Sequence, residues 1–150
     1  MDPLRSAVMV AALCLFAESP DGLAAQATRE VQAAVVVTAA DPWAATAGPG
    51  LAIRVGRRDR LVAWAGAGAA DGEFAARGEA LYHFLLSPAG TGAGFYLGGG
   101  FAGAYAEDWR GWLVGVLGVE AAPGGSGGWF AEAGFGGGLR IAAGFRWRRP

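Results

Sequence analysis

The stretch Gly94 to Glu120, GFYLGGGFAGAYAEDWRGWLVGVLGVE, decides how this chain is read. It is apolar and aromatic, yet eight glycines fall between Gly94 and Gly118, and the acidic pair Glu107-Asp108 cuts it in half. A membrane helix needs 18 or more largely uninterrupted apolar residues, which Glu107, Asp108, Arg110 and Glu120 prevent. Each interior glycine would also cost a helix about 1 kcal/mol relative to alanine. Strands tolerate glycine better where a sheet bends or packs closely. GGGFAG, Gly98 to Gly103, matches the dinucleotide fingerprint letter for letter. That fingerprint must lie between a strand and a helix, whereas the following AYAEDW reads as strand and turn, so no phosphate site is expected. GAGAAD (66–71) fails for the same reason.

Working outward, alternation of period two recurs. In EFAARGEALYHFLL, Glu73, Arg77, Glu79 and His83 share one face, while Phe74, Tyr82 and Phe84 share the other. In LRIAAGFRWR, Leu139, Ile141, Phe145 and Trp147 oppose Arg140, Arg146 and Arg148. GWFAEAGFG sets Trp129 and Phe135 against Phe130 and Glu132, and GFYLGGGFAGAY sets Phe95, Leu97, Phe101 and Tyr105 against small residues behind Tyr96. RLVAWAGAGA and RGWLVGVLGVE carry bulk on both faces. Turn signals at Asp41-Pro42, GRRD (56–59), Asp71-Gly72, SPAGTG (87–92), Glu107-Asp108, APGGSGG and GGG (136–138) divide the chain into eight strands. These are expected at about 29–40, 43–56, 59–70, 73–86, 94–106, 109–121, 128–136 and 139–148. The fold class predicted is all-β: an eight-stranded antiparallel meander, closed into a barrel whose interior side chains fill.

Composition agrees. Of 150 residues 53% are hydrophobic and 17% charged, against roughly 45–50% and 25% in ordinary soluble domains, and 27 are glycine. A net charge of -1 gives no electrostatic case for nucleic acid. RVGRRDR (54–60) is read as a solvated turn. Arg5 followed by the apolar run Ala7–Ala17 and the small residues of GLAAQA reads as a secretory leader over 1–27, cleaved near 25–27. The single cysteine, Cys14, lies within it, so the domain at 28–150 should contain no disulfide.

The polar faces are rich in glycine and alanine and the opposite faces in large apolar side chains, the inverse of a soluble barrel. Arg54, Arg77, Glu79, His83, Glu132, Arg140 and Arg146 are therefore expected to form a structural charge network in the lumen, with Glu79 hydrogen-bonded to His83. Nothing in the sequence places Glu79 and Glu132 together for acid–base work, and charge pairs with Arg77 and Arg140 are expected for them instead. Two aromatic girdles are expected: Trp43, Phe74, Tyr105, Trp109 and Phe135 near one set of turns, and Tyr82, Phe84, Phe95, Trp129, Phe145 and Trp147 near the other. Ten residues from Phe74 to Phe84, at about 3.3 Å each and tilted near 40°, span roughly 25 Å of height, the size of an outer-membrane apolar band.

The leader, the alternation, the girdles and the final LRIAAGFRWRRP resemble the small eight-stranded outer-membrane β-barrel proteins of Gram-negative bacteria, the OmpA/OmpX-like class. The resemblance implies residence in the outer membrane, recognition by the outer-membrane assembly machinery, a lipid bilayer as partner and a monomeric barrel without enzymatic activity. The class ends on its aromatic residue, whereas Arg148-Arg149-Pro150 follow Trp147 here. It also carries its long loops outside, whereas the shortest turns here fall at the outward end. Two other readings stand beside it: an exported lipocalin-like barrel holding an apolar ligand, and a membrane-embedded lipid-modifying enzyme using His83 with Ser87. Without mature cysteine and with one histidine, no zinc site or cofactor is expected.

Overall fold

The computed structural model describes residues 28–148. The leader read over 1–27, with Cys14, lies outside the described residues, as do Arg149 and Pro150. Eight strands follow in order: β1 (Thr28–Ala39), β2 (Ala44–Arg54), β3 (Asp59–Ala70), β4 (Glu73–Leu85), β5 (Ala93–Tyr105), β6 (Trp109–Ala121), β7 (Gly127–Phe135) and β8 (Leu139–Arg148). Each pairs antiparallel with the next, and β1 closes on β8 from Glu30↔Arg148 to Ala39↔Leu139, giving a closed barrel. Every strand boundary agrees with the sequence reading within two residues. The turn chemistry explains much of that agreement. Asp71 and Gly72 both adopt positive φ (47° and 87°), the combination that a two-residue hairpin of the twisted-sheet type demands.

The two ends differ. The terminal end carries Thr28, Arg148 and the turns 55–58, 86–92 and 122–126. The far end carries the short turns 40–43, 71–72, 106–108 and 136–138. Closing only eight strands forces tight coiling, and the lumen-facing glycines accommodate it. At Gly100 an added Cβ would fall on the Ala80 carbonyl of the neighbouring strand. At Gly118 it would lie 2.6 Å from the Tyr96 hydroxyl, so the absence of a side chain there is what lets the Tyr96 ring enter the lumen.

The polarity of the barrel is inverted. Arg60 and His83 are 0% exposed, whereas Phe101 and Leu113 on the outer wall are 66% and 69% exposed. Apolar residues do line part of the lumen, in two patches: Ala52, Val62, Leu81, Ala102, Val114 and Val116 on one side, and Ala34, Val36, Trp64, Phe130 and Ala142 on the other. Between these walls run the charges.

Candidate functional site: the lumen and its two mouths

Two linked ionic clusters fill the lumen. The one nearer the terminal end is centred on Glu30 of β1 and Glu120 of β6. Glu30 receives Arg54 Nε at 2.8 Å and Arg148 Nε at 3.1 Å, with Arg146 Nε at 3.4 Å and Arg60 Nη1 at 3.6 Å. Glu120 receives Arg60 at 2.8 Å, Arg148 at 3.0 Å and, on the same oxygen, Arg146 Nη1. Arg146 also donates from Nε and Nη2 to Gln32 Oε1. The guanidiniums of Arg60 and Arg146 lie over the Tyr96 and Phe130 rings at 4.9 and 4.5 Å, so aromatic faces supplement the carboxylates.

The second cluster is centred on Arg140 of β8. Its Nε and Nη2 donate to Glu79 at 2.9 and 2.6 Å, and its Nη1 donates to Glu132 at 2.8 Å. Arg77 Nε donates to Glu79 at 2.7 Å, its Nη1 to Thr38 Oγ1 at 3.2 Å and its Nη2 to the Gly136 carbonyl at 2.9 Å. Tyr96 donates its hydroxyl to Glu132 at 2.7 Å. Thus Arg54, Arg77, Glu79, His83, Glu132, Arg140 and Arg146 all have inward side chains, and one guanidinium bridges Glu79 and Glu132.

The expected Glu79–His83 hydrogen bond does not form. Side chains four apart on one strand face start roughly 13 Å apart, beyond the reach of these two groups, so each finds its partners across the lumen. His83 Nδ1 lies 3.2 Å from Arg60 Nη2, and its ring stacks on Tyr96 at 4.7 Å between centroids. A guanidinium can only donate, so Nδ1 accepts and the ring proton sits on Nε2. Nε2 is 3.8 Å from the Glu132 carboxylate and has no hydrogen-bond partner among the described residues. Ser87 lies exposed in the turn after β4, while His83 is sealed within the barrel.

RVGRRDR also needs correction. Arg57 and Arg58 are exposed in the turn as expected, but Arg60 is wholly buried because β3 has already begun and its side chain points inward. Sequence reasoning also missed Glu30, Glu120, Arg148, Tyr96 and Trp64 as lumen residues. Glu30, Gln32 and Thr38 alternate on one face of β1, a legible signal. Glu120 lies at the end of a strand with bulk on both faces, which hid it.

The terminal mouth is closed by chain. Turns 86–92 and 122–126 bond to each other through Ala122 N to Gly92 O (2.8 Å) and Gly124 N to Gly90 O (3.2 Å). Arg54, from β2, reaches across to the carbonyls of Pro88 (3.1 Å) and Pro123 (2.7 Å), and Arg148 holds those of Ala122 and Gly125. Further in, a cavity of about 10 Å³ beside Trp64, Phe130 and Arg140 has room for about one water. The far mouth is open. Above the floor formed by Arg77 and Thr38 lies a cup of about 390 Å³, rimmed by Asp41, Asp71, Glu107, Asp108 and Arg110 and walled by Trp112.

Outside, the aromatic residues fall at two heights. Tyr105 and Trp109 pair across the β5–β6 register near the far end with ring centroids 5.6 Å apart, on the same end as Trp43 and Phe74. Phe135, the last residue of β7, also lies on that side. Phe145 and Trp147 pair at 5.0 Å toward the terminal end, where Tyr82, Phe84, Phe95 and Trp129 also lie. All of these except half-buried Tyr105 are exposed.

A closed eight-stranded antiparallel meander with a charged, side-chain-filled lumen and an apolar outer wall is the fold of the small outer-membrane-type barrels. Among solved structures, the chain is similar to the N-terminal β-barrel domain of Pseudomonas aeruginosa OprF, with a TM-score of 0.66 and 12% identity over 81% of this chain and 97% of that one. No family model and no curated protein matches the chain.

Proposed function

We propose that this chain is an exported, integral outer-membrane barrel with a non-conducting lumen, acting structurally or through interactions and not as an enzyme. The observation that carries the reading is the inversion of polarity. Six arginines (Arg54, Arg60, Arg77, Arg140, Arg146, Arg148) and four glutamates (Glu30, Glu79, Glu120, Glu132) are turned inward. Meanwhile Phe74, Phe101, Leu113, Leu117, Phe135 and Ile141 face out. In water this arrangement would expose apolar area far beyond the few hundred Å² usual for a soluble monomer, whereas a bilayer covers it. The aromatic side chains at two heights fit the two lipid–water interfaces, and closure of β8 on β1 hides the backbone groups along the seam between the first and last strands.

Two further features favour a plug over a pore: the turns latched across the terminal mouth and the ionic clusters spanning the lumen. The test is fractionation followed by electrical recording. Envelope membranes washed with high salt and then carbonate should retain the chain until detergent is added, and purified protein in planar bilayers should give no steady conductance. Release by carbonate would overturn the membrane reading, and a stable ohmic current would overturn the plugged lumen.

A further inference from the structure

One interruption in the barrel wall has no role in the reading above. β6 pairs with β5 along its full length, from Tyr105↔Trp109 to Ala93↔Ala121. On its other side it pairs with β7 only from Gly115↔Phe135 to Glu120↔Phe130, because β7 ends at Phe135 and the chain turns back into β8. The segment from Trp109 to Val114 is therefore hydrogen-bonded on one side only. The 136–138 turn does not compensate. It closes on itself through Gly136 N to Gly138 O, and Gly137 tucks under Trp112, where an added Cβ would sit 2.8 Å from the indole. Trp109, Arg110, Gly111 and Leu113 are exposed.

An unpaired strand edge is a template for another strand, and proteins that leave one open use it for strand addition. Here the edge stands beside the open cup. A strand added along it would send alternate side chains toward the cup and the others outward. The rim of the cup carries Asp41, Asp71, Glu107 and Asp108, none in an ion pair among the described residues, against the guanidinium of Arg110, while Arg77 at the floor is already paired with Glu79. Inward side chains of a partner would thus meet a net negative field within about 390 Å³, space enough for long cationic groups.

We propose that the far mouth is a docking site for an extended polypeptide segment of a partner protein, which pairs with β6 at Trp109 to Val114 and inserts alternating lysine or arginine side chains into the cup. Backbone pairing supplies the register, and the carboxylate rim selects the charge.

The test uses the full chain folded in non-ionic detergent micelles and a fluorescent peptide of alternating lysine and threonine long enough to span Trp109 to Val114. Binding is read by anisotropy. Two versions of the peptide are N-methylated on alternate amides, one set each. A strand presents its N–H groups alternately to its two sides, so methylation of one set should weaken binding at least tenfold and methylation of the other should leave it nearly unchanged. A glutamate-for-lysine peptide should bind at least tenfold more weakly than the parent. The Glu107→Gln, Asp108→Asn double variant, altered only in an exposed turn, should lose most of that preference. Amide exchange across Trp109 to Val114 should slow on addition of the parent peptide. Equal binding by both methylated forms, equal binding by the acidic peptide, unchanged amide exchange, or no binding by the parent peptide would each overturn the proposal.

Discussion

Replacing Arg140 with methionine tests whether the lumen is held by its ions. The guanidinium makes three short hydrogen bonds, to both oxygens of Glu79 and one of Glu132, and all three side chains are at most 5% exposed. Methionine fills a similar volume but leaves both carboxylates short of charge compensation. Neither is abandoned, since Glu79 keeps Arg77 and Glu132 keeps the Tyr96 hydroxyl. The expected cost is therefore about 3–5 kcal/mol, the range for breaking one buried pair, and not twice that. Adding Glu79→Gln and Glu132→Gln removes the uncompensated charge, although Arg77 then loses its carboxylate. The triple variant should recover more than half of the loss, because neutral groups of similar shape can replace a buried ion cluster at little cost. The assay is reversible urea unfolding from lipid vesicles, read by tryptophan fluorescence and checked by the electrophoretic shift between folded and unfolded barrel. A cost under about 1 kcal/mol for the single variant, or a triple variant no better than it, would refute the reasoning.

Two further outcomes probe the outer wall and the glycines. Phe101→Arg, on the exposed outer face of β5 four residues from Tyr105 and six from Phe95, should cost about 2–4 kcal/mol for unfolding from vesicles; a change near zero would mean that this face meets water. In Gly98→Ala, the new Cβ would lie 2.5 Å from His83 Cδ2 and 2.8 Å from Val116 Cγ2, so the variant should lose about 1–3 kcal/mol and alter the near-ultraviolet dichroism of Tyr96, which stacks on that histidine.

The fold was legible because its signals are local. Alternation in β4, β7 and β8 sorts charged from aromatic side chains without any knowledge of partners, and Asp71-Gly72 and Glu107-Asp108 mark their turns by residue type alone. The lumen was less legible, because its pairing is not local. Charge alone suggests Arg77 and Arg140 as partners for the lumenal carboxylates, but not that one Arg140 guanidinium draws Glu79 and Glu132 together from different strands. His83 turns from Glu79 to Arg60, a choice that depends on strand register and on Gly98 and Gly118 making room for the stacked rings. Arg60 was misread because two exposed arginines precede it with only Asp59 between, while the start of β3 alone determines which way it points. The gap beside β6 depends on where β7 stops, a difference of a few residues between strand lengths that no periodicity reveals.

The cluster around Glu30 and Glu120 bears on the order in which the chain assembles. Its members come from β1, β2, β3, β6 and β8, so a sheet of the first few strands holds Arg54 and Arg60 but lacks Glu120, and the last strand arrives with two more arginines that need Glu30 from the first. In hydrocarbon an unfinished sheet would carry charges whose partners lie on strands not yet in place, and all of them are answered only when the seam closes. Such a chain has reason to remain outside the lipid as loosely associated hairpins and to enter in a single concerted event, with the meeting of its first and last strands as the step that commits it.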